Sequence, residues 1–161
     1  MHSVRNDVVK IAKYFPNHHL TSAWYKECGG KKPSVPCDVR WNSVTDCLKS
    51  YLENWLVLMK VCDKHKEDIS SSVIDKVCSM ELKHSAETYL KRLRPISMNL
   101  DRLQSNKCTV SESVEIWLDV LSEAEINEPG AVVAVVKEGM EKAIDLQNYL
   151  ANIIDPRYLG S

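Results

Sequence analysis

The chain has one phenylalanine, five glycines and six prolines among 161 residues. An all-β sandwich turns about every 8–12 residues and needs more turn formers than that. No apolar run approaches the roughly 18 residues of a membrane-spanning helix. The first ten residues lack the apolar stretch of a secretory leader, so no secretion signal and no membrane partner are expected. No Cys-x-x-Cys occurs, and neither sign of charge dominates: 21 Lys and Arg stand against 22 Asp and Glu, a net charge of −1. That balance excludes a strongly basic nucleic-acid coat and a polyacidic tail.

What is present is the material of a core. Leu, Ile, Val and Phe make up 42 of the 161 residues, well above the level at which a chain cannot bury one. A chain this long needs no disulfide to fold. Cys28, Cys37, Cys47, Cys62, Cys78 and Cys108 therefore read as reduced thiols acting as small hydrophobes, with Cys47 and Cys62 on the apolar face of a helix. Charge is unevenly spread. Residues 1–40 carry +4, 41–90 carry −2, 91–108 carry +4 and 109–161 carry −7. The two basic stretches, if they meet, make a patch able to face phosphate; otherwise they are a mixed, solvated surface.

Apolar residues recur with a helical period almost throughout. Val4, Val8, Ile11, Ala12 and Phe15 mark a first helix stopped by Pro16-Asn17. A short second helix through Leu20, Ala23 and Trp24 ends at Gly29-Gly30. Lys31 to Pro36 holds two prolines in four residues and is expected to be extended. The strongest pattern follows: Val44, Cys47, Leu48, Tyr51, Leu52, Trp55, Leu56, Met59 and Cys62 form one stripe over about five turns, with Asp38 or Asn42 as its cap. The charged run 63–68 reads as a loop or frayed turn. Ile69 to Leu93 is one long helix or two abutting ones, Pro95 kinks or breaks it, and the pattern resumes over 96–103. Thr109-x-x-Glu112 is a capping-box signature for the next helix. Pro129 suits the first turn of a last helix running through Gln147 and on to Ile154. No β-alternation and no repeat is found. The expected fold is all-α, an irregular bundle of six to seven helices forming a single helical domain over 1–161.

Catalytic and metal chemistry find little support. His18, His19, Cys28 and Cys37 have the wrong spacing for a zinc knuckle. His65 and His84 lie in charged, exposed surroundings with no nucleophile placed beside them, and there is no Gly-rich phosphate loop or nucleophile elbow. No metal, cofactor or enzyme activity is expected. Arg40-Trp41 differs. It precedes the best helix, directly after the stiff connector, where a helix N-terminus favours phosphate. Trp can stack on an unpaired base and Arg can fork a phosphate. The same pair fits a packing role, with Trp41 buried at the start of the helix and Arg40 paired to Asp38.

Three segments, in order, resemble one family. Val35-Pro36-Cys37-Asp38-Val39-Arg40-Trp41-Asn42-Ser43 is similar to the P-C-x-T-R-W-N-S motif of hAT-superfamily DNA transposases. Leu100-Asp101-Arg102-Leu103-Gln104-Ser105 resembles their L-D-x-L-Q-S helix. Leu150-Ala151-Asn152-Ile153-Ile154-Asp155-Pro156-Arg157-Tyr158 resembles their L-A-x-x-L-D-P-R-Y segment, and Ile116-Trp117-Leu118 fits their E-x-W stretch. The resemblance spans about residues 4–160. It implies the helical insertion region of an RNase H-like catalytic domain, in which the Arg-Trp pair is associated with flipped-base and hairpin DNA, and a nuclear protein. Arg40 and Trp41 are the DNA-binding residues it carries over. Val39 stands where the family has Thr. The C-x-x-H segment, the catalytic carboxylates and the C-terminal dimerisation region have no counterpart in this sequence, and Asp155 reads as part of the Asp-Pro-Arg turn. The resemblance therefore implies a catalytically inactive, transposase-derived helical domain that assists transposon-end DNA binding. The alternative is a protein–protein interaction module of a domesticated transposase remnant, with a protein partner in place of DNA.

Overall fold

A computed structural model describes residues 2–37 and 42–158. Among them are eight α-helices and no strand: α1 His2–Asn17, α2 His19–Glu27, α3 Ser43–Lys64, α4 Ser71–Cys78, α5 Met80–Leu103, α6 Val110–Asn127, α7 Gly130–Ala143 and α8 Leu146–Ile154. The all-α expectation holds, with one helix more than the six or seven expected. The extra one arises where the helix expected to run on to Ile154 divides. Ile144 turns extended, and Asp145 starts a new helix by exchanging hydrogen bonds with Asn148. That reciprocal cap satisfies amides that the break leaves without an intrahelical acceptor. Pro129 sits one position ahead of the expected first turn, as the residue preceding α7.

Contacts gather into two compact units, residues 1–94 and 95–161. The first holds the larger core. Val8, Ile11, Ala12 and Phe15 of α1 are buried, as their spacing predicts, against Cys47, Leu48, Tyr51, Leu58, Val61 and Cys62 of α3 and Val77 of α4. The apolar stripe of α3 needs one correction. Leu56 is 73% exposed, whereas Asn54 is 3% exposed. The buried face runs through 47, 51, 54, 58 and 61–62, rotated from the stripe that hydrophobicity alone suggests. Between Ile69 and Leu93 the structure has two helices. They part at Ser79, whose hydroxyl accepts from the Leu82 amide at 3.1 Å. Asn42 is the residue that precedes α3, and Asp38, the other expected cap, lies outside the described residues.

The second unit takes the end of α5 from Pro95, then α6, α7 and α8. Thr109 caps α6 by accepting from the Glu112 amide at 3.2 Å, the half of the capping box that the sequence announces. Val114, Met140 and Ile144 form a small core, with Trp117 and Leu121 packed on it. Arg102, in the L-D-x-L-Q-S segment, reaches Asp119 and Glu112 of α6 at 3.5 and 3.9 Å.

Candidate functional site

Two described stretches flank residues 38–41: the connector that ends at Cys37, and the start of α3. The connector begins where α2 stops. The Gly29 and Gly30 amides donate to the Lys26 and Tyr25 carbonyls, both at 2.9 Å, with Gly29 at φ +83°. This is a Schellman closure, which needs a residue at ease in left-handed backbone. A Cβ on Gly30 would lie 2.5 Å from the Tyr25 ring. Beyond it the chain is extended, and its amides have no regular partner of their own. Side chains of α3 supply some. The Lys31 amide donates to Asn54 Oδ1 at 2.9 Å and the Ser34 amide to Ser50 Oγ at 3.1 Å, while Ser43 Oγ donates to the Cys37 carbonyl at 2.9 Å. Tyr25 Oη adds a bond to the Lys31 carbonyl at 2.7 Å. Asn54, Ser50 and Ser43 climb α3 toward its N-terminus, so the connector runs antiparallel to the helix and reaches its first turn. There the amides and dipole of a 22-residue helix favour an anion. Arg40 and Trp41 themselves lie outside the described residues, as do Asp38 and Val39. Residues 1–94 carry sixteen Lys and Arg against eleven Asp and Glu.

The Asp-Pro-Arg-Tyr segment forms a clasp. Asp155 Oδ2 accepts from Ser111 Oγ at 2.6 Å and from Arg157 Nη2 at 2.7 Å. Arg157 Nη2 also donates to Thr109 Oγ1 at 3.1 Å and Ser111 Oγ at 3.2 Å. Hydrogen bonds from Arg157 and then Ser111 hold the Asp155 carboxyl well below the usual carboxylate range. The Asp155 carboxylate thus bonds Ser111 and Arg157 within the clasp, and its backbone amide and carbonyl bond Asn152 and Tyr158 at the turn that ends α8. Sequence reasoning missed Ser111 because a lone serine after a cap residue carries no pattern of its own.

Next to the clasp, α8 turns Asn152 inward. Asn152 Nδ2 donates to the Ser111 carbonyl at 3.1 Å and to Glu115 Oε1 at 2.7 Å, which seats α8 on α6. Its apolar residues face out. Leu146, Tyr149, Leu150, Ile153 and Ile154 are 40–74% exposed, and they sit at i, i+3, i+4, i+7 and i+8. The spacing is visible in the sequence, but which face turns inward is set by Asn152, a residue hydropathy ignores.

Among the described residues no three His, Cys, Asp or Glu side chains gather as a metal site. His18, His19, Cys28 and Cys37 are thus not brought together. His18 Nδ1–H instead donates to the Tyr14 carbonyl at 2.8 Å. His84 is exposed as expected, but His65 is half-buried and stacks flat on Trp24, ring centroids 3.8 Å apart. Stacking on an aromatic face, rather than charge, decides its place. All six cysteines are free, with Cys47 and Cys62 buried as their helical positions predict. Burial pushes the Cys47 thiol up to about 11 and the Cys62 thiol to about 12. No helix among the described residues is long and apolar enough to cross a membrane. Compared with protein-family models, with curated proteins and with solved structures, the chain matches none.

Proposed function

We propose that this chain is a transposase-derived helical domain, similar to the insertion region of hAT transposases, that helps hold DNA ends and performs no chemistry of its own. Arg40 grips phosphate in this reading, and Trp41 stacks on an unpaired base. The observation that supports it is the strapping of the connector along α3, which brings both flanks of residues 38–41 to the N-terminal turn of a 22-residue helix in a net-basic unit. The resemblance also implies a nuclear location.

Fluorescence anisotropy tests it with three DNAs: a hairpin bearing a flipped base at its end, a plain duplex and a single strand. The hairpin is expected to bind tightest. Trp41→Ala should cost ~1–3 kcal/mol of that affinity, and Arg40→Ala should weaken binding and flatten its salt dependence by roughly one phosphate's worth. Absence of binding at low salt, or equal binding by wild type and both variants, overturns the reading. No strand cleavage or transfer is expected with magnesium or manganese.

A second reading, a protein-interaction module, is favoured by a separate observation: the outward apolar stripe of α8.

A further inference from the structure

Single exposed leucines are ordinary on a folded surface. Five large apolar side chains on successive turns of one helix are not, and such patches mark interaction sites. In α8 the arrangement is enforced rather than incidental. Asn152 is bonded to α6 at two acceptors, so the helix cannot roll to bury its stripe without breaking these two bonds. The pattern i, i+3, i+4, i+7, i+8 is that of the anchors by which one helix fits the groove of another surface.

Charge decides among the surfaces that could cover it. No residue from Leu146 to Ile154 is charged, so the stripe holds no basic residue to meet lipid phosphate. Residues 95–161 hold eleven Asp and Glu against five Lys and Arg. Four of those five bases, Arg102, Lys137, Lys142 and Arg157, are already in ion pairs with acids of the same unit. Glu141 and Asp145 precede the stripe in the chain, and Glu115 lies beside it at Asn152. The same face of a second copy would bring these acidic surroundings against their like, and an anionic membrane would do the same.

We infer that the α8 stripe docks a basic amphipathic helix of another protein, its apolar face on Leu146, Tyr149, Leu150, Ile153 and Ile154 and its Lys or Arg rim against the acidic surroundings. This rests on the protein-interaction reading and adds the chemistry of the partner. It is independent of Arg40 and Trp41.

The test uses the full chain and two labelled helical peptides with the same leucine pattern, one with lysine and one with glutamate at every polar position. Anisotropy is read for wild type, Leu150→Ser and Ile153→Ser, which leave charge unchanged, and for Leu56→Ser as an exposed apolar control on α3. Circular dichroism checks that each variant keeps its helices. The lysine peptide is expected to bind, with the glutamate peptide and both α8 variants roughly ten-fold or more weaker and the Leu56 variant unchanged. Equal binding of the two peptides, or lysine-peptide binding indifferent to the serine substitutions, overturns the partner chemistry. So does a concentration-dependent dimer that Ile153→Ser abolishes, although that result keeps the docking surface. Binding of neither peptide, with no dimer, overturns the docking reading as well.

Discussion

At the scale of single residues, polar side chains do much of what hydropathy cannot announce. Asn54 is buried in the middle of α3, taking the Lys31 amide on Oδ1 and giving Nδ2 to the Ser50 carbonyl at 2.7 Å. Asn54→Ala leaves the Lys31 amide without its acceptor, and a cost of ~1–3 kcal/mol is expected from denaturant unfolding. A variant that unfolds at the wild-type midpoint would show that the strap contributes nothing. The cysteines divide by environment in a way alkylation can read. Cys37 and Cys78 are exposed, whereas Cys47 and Cys62 are buried with raised thiol pKa values. Mass spectrometry after a neutral-pH pulse of maleimide should find Cys37 and Cys78 modified, and Cys47 and Cys62 only after denaturant is added. The buried pair was legible from helical spacing. Asn54 was not, because a period of apolar residues marks a face without saying which polar residue shares it, and hydropathy alone runs the stripe through Leu56.

At the scale of elements, the boundaries follow caps. The Thr109 cap was legible because its signature is local, and the Asp145–Asn148 exchange was equally local but was overridden by the apolar run on either side of it. The start of α6 and the end of α8 share one fastening, the Asp155–Arg157–Ser111 clasp. Its pH dependence has a definite sign. The folded carboxyl of Asp155 titrates lower than the unfolded one, so the clasp's contribution is fully present above about pH 4, the ordinary Asp value. It is lost as pH falls from there toward the depressed folded value. Carboxyl-carbon NMR should show Asp155 still ionised at a pH where the exposed Asp and Glu side chains are largely protonated. Arg157→Ala should return the Asp155 titration toward that ordinary value, since Arg157 is the first cause of the shift. An Asp155 midpoint in the ordinary range in the wild type would mean that the clasp is absent in solution.

At the scale of the whole molecule, the two cores differ in size. The core of residues 1–94 draws on α1 to α5 with fifteen buried apolar side chains, whereas residues 95–161 bury six: Val114, Ile116, Val120, Ala124, Met140 and Ile144. Fewer buried apolar contacts mean cheaper local opening. Amide hydrogen exchange is therefore expected to be slowest in α1 and α3 and faster by about ten-fold or more in α7 and α8. Equal protection throughout would mean the chain opens only as one body. The all-α class was legible from periodicity, and Pro95, where the sequence suggests a kink or a break, lies inside an unbroken α5 at the first residue of the second unit. The clasp has a mechanical side as well. It joins Arg157 to Thr109 and Ser111 across nearly fifty residues of chain, closing α6, α7 and α8 into a loop without a covalent link. A force applied along the chain beyond Tyr158 would load those few bonds at the first turn of α6 before it reached α8, so α8 would keep its seat under tension until the clasp tore.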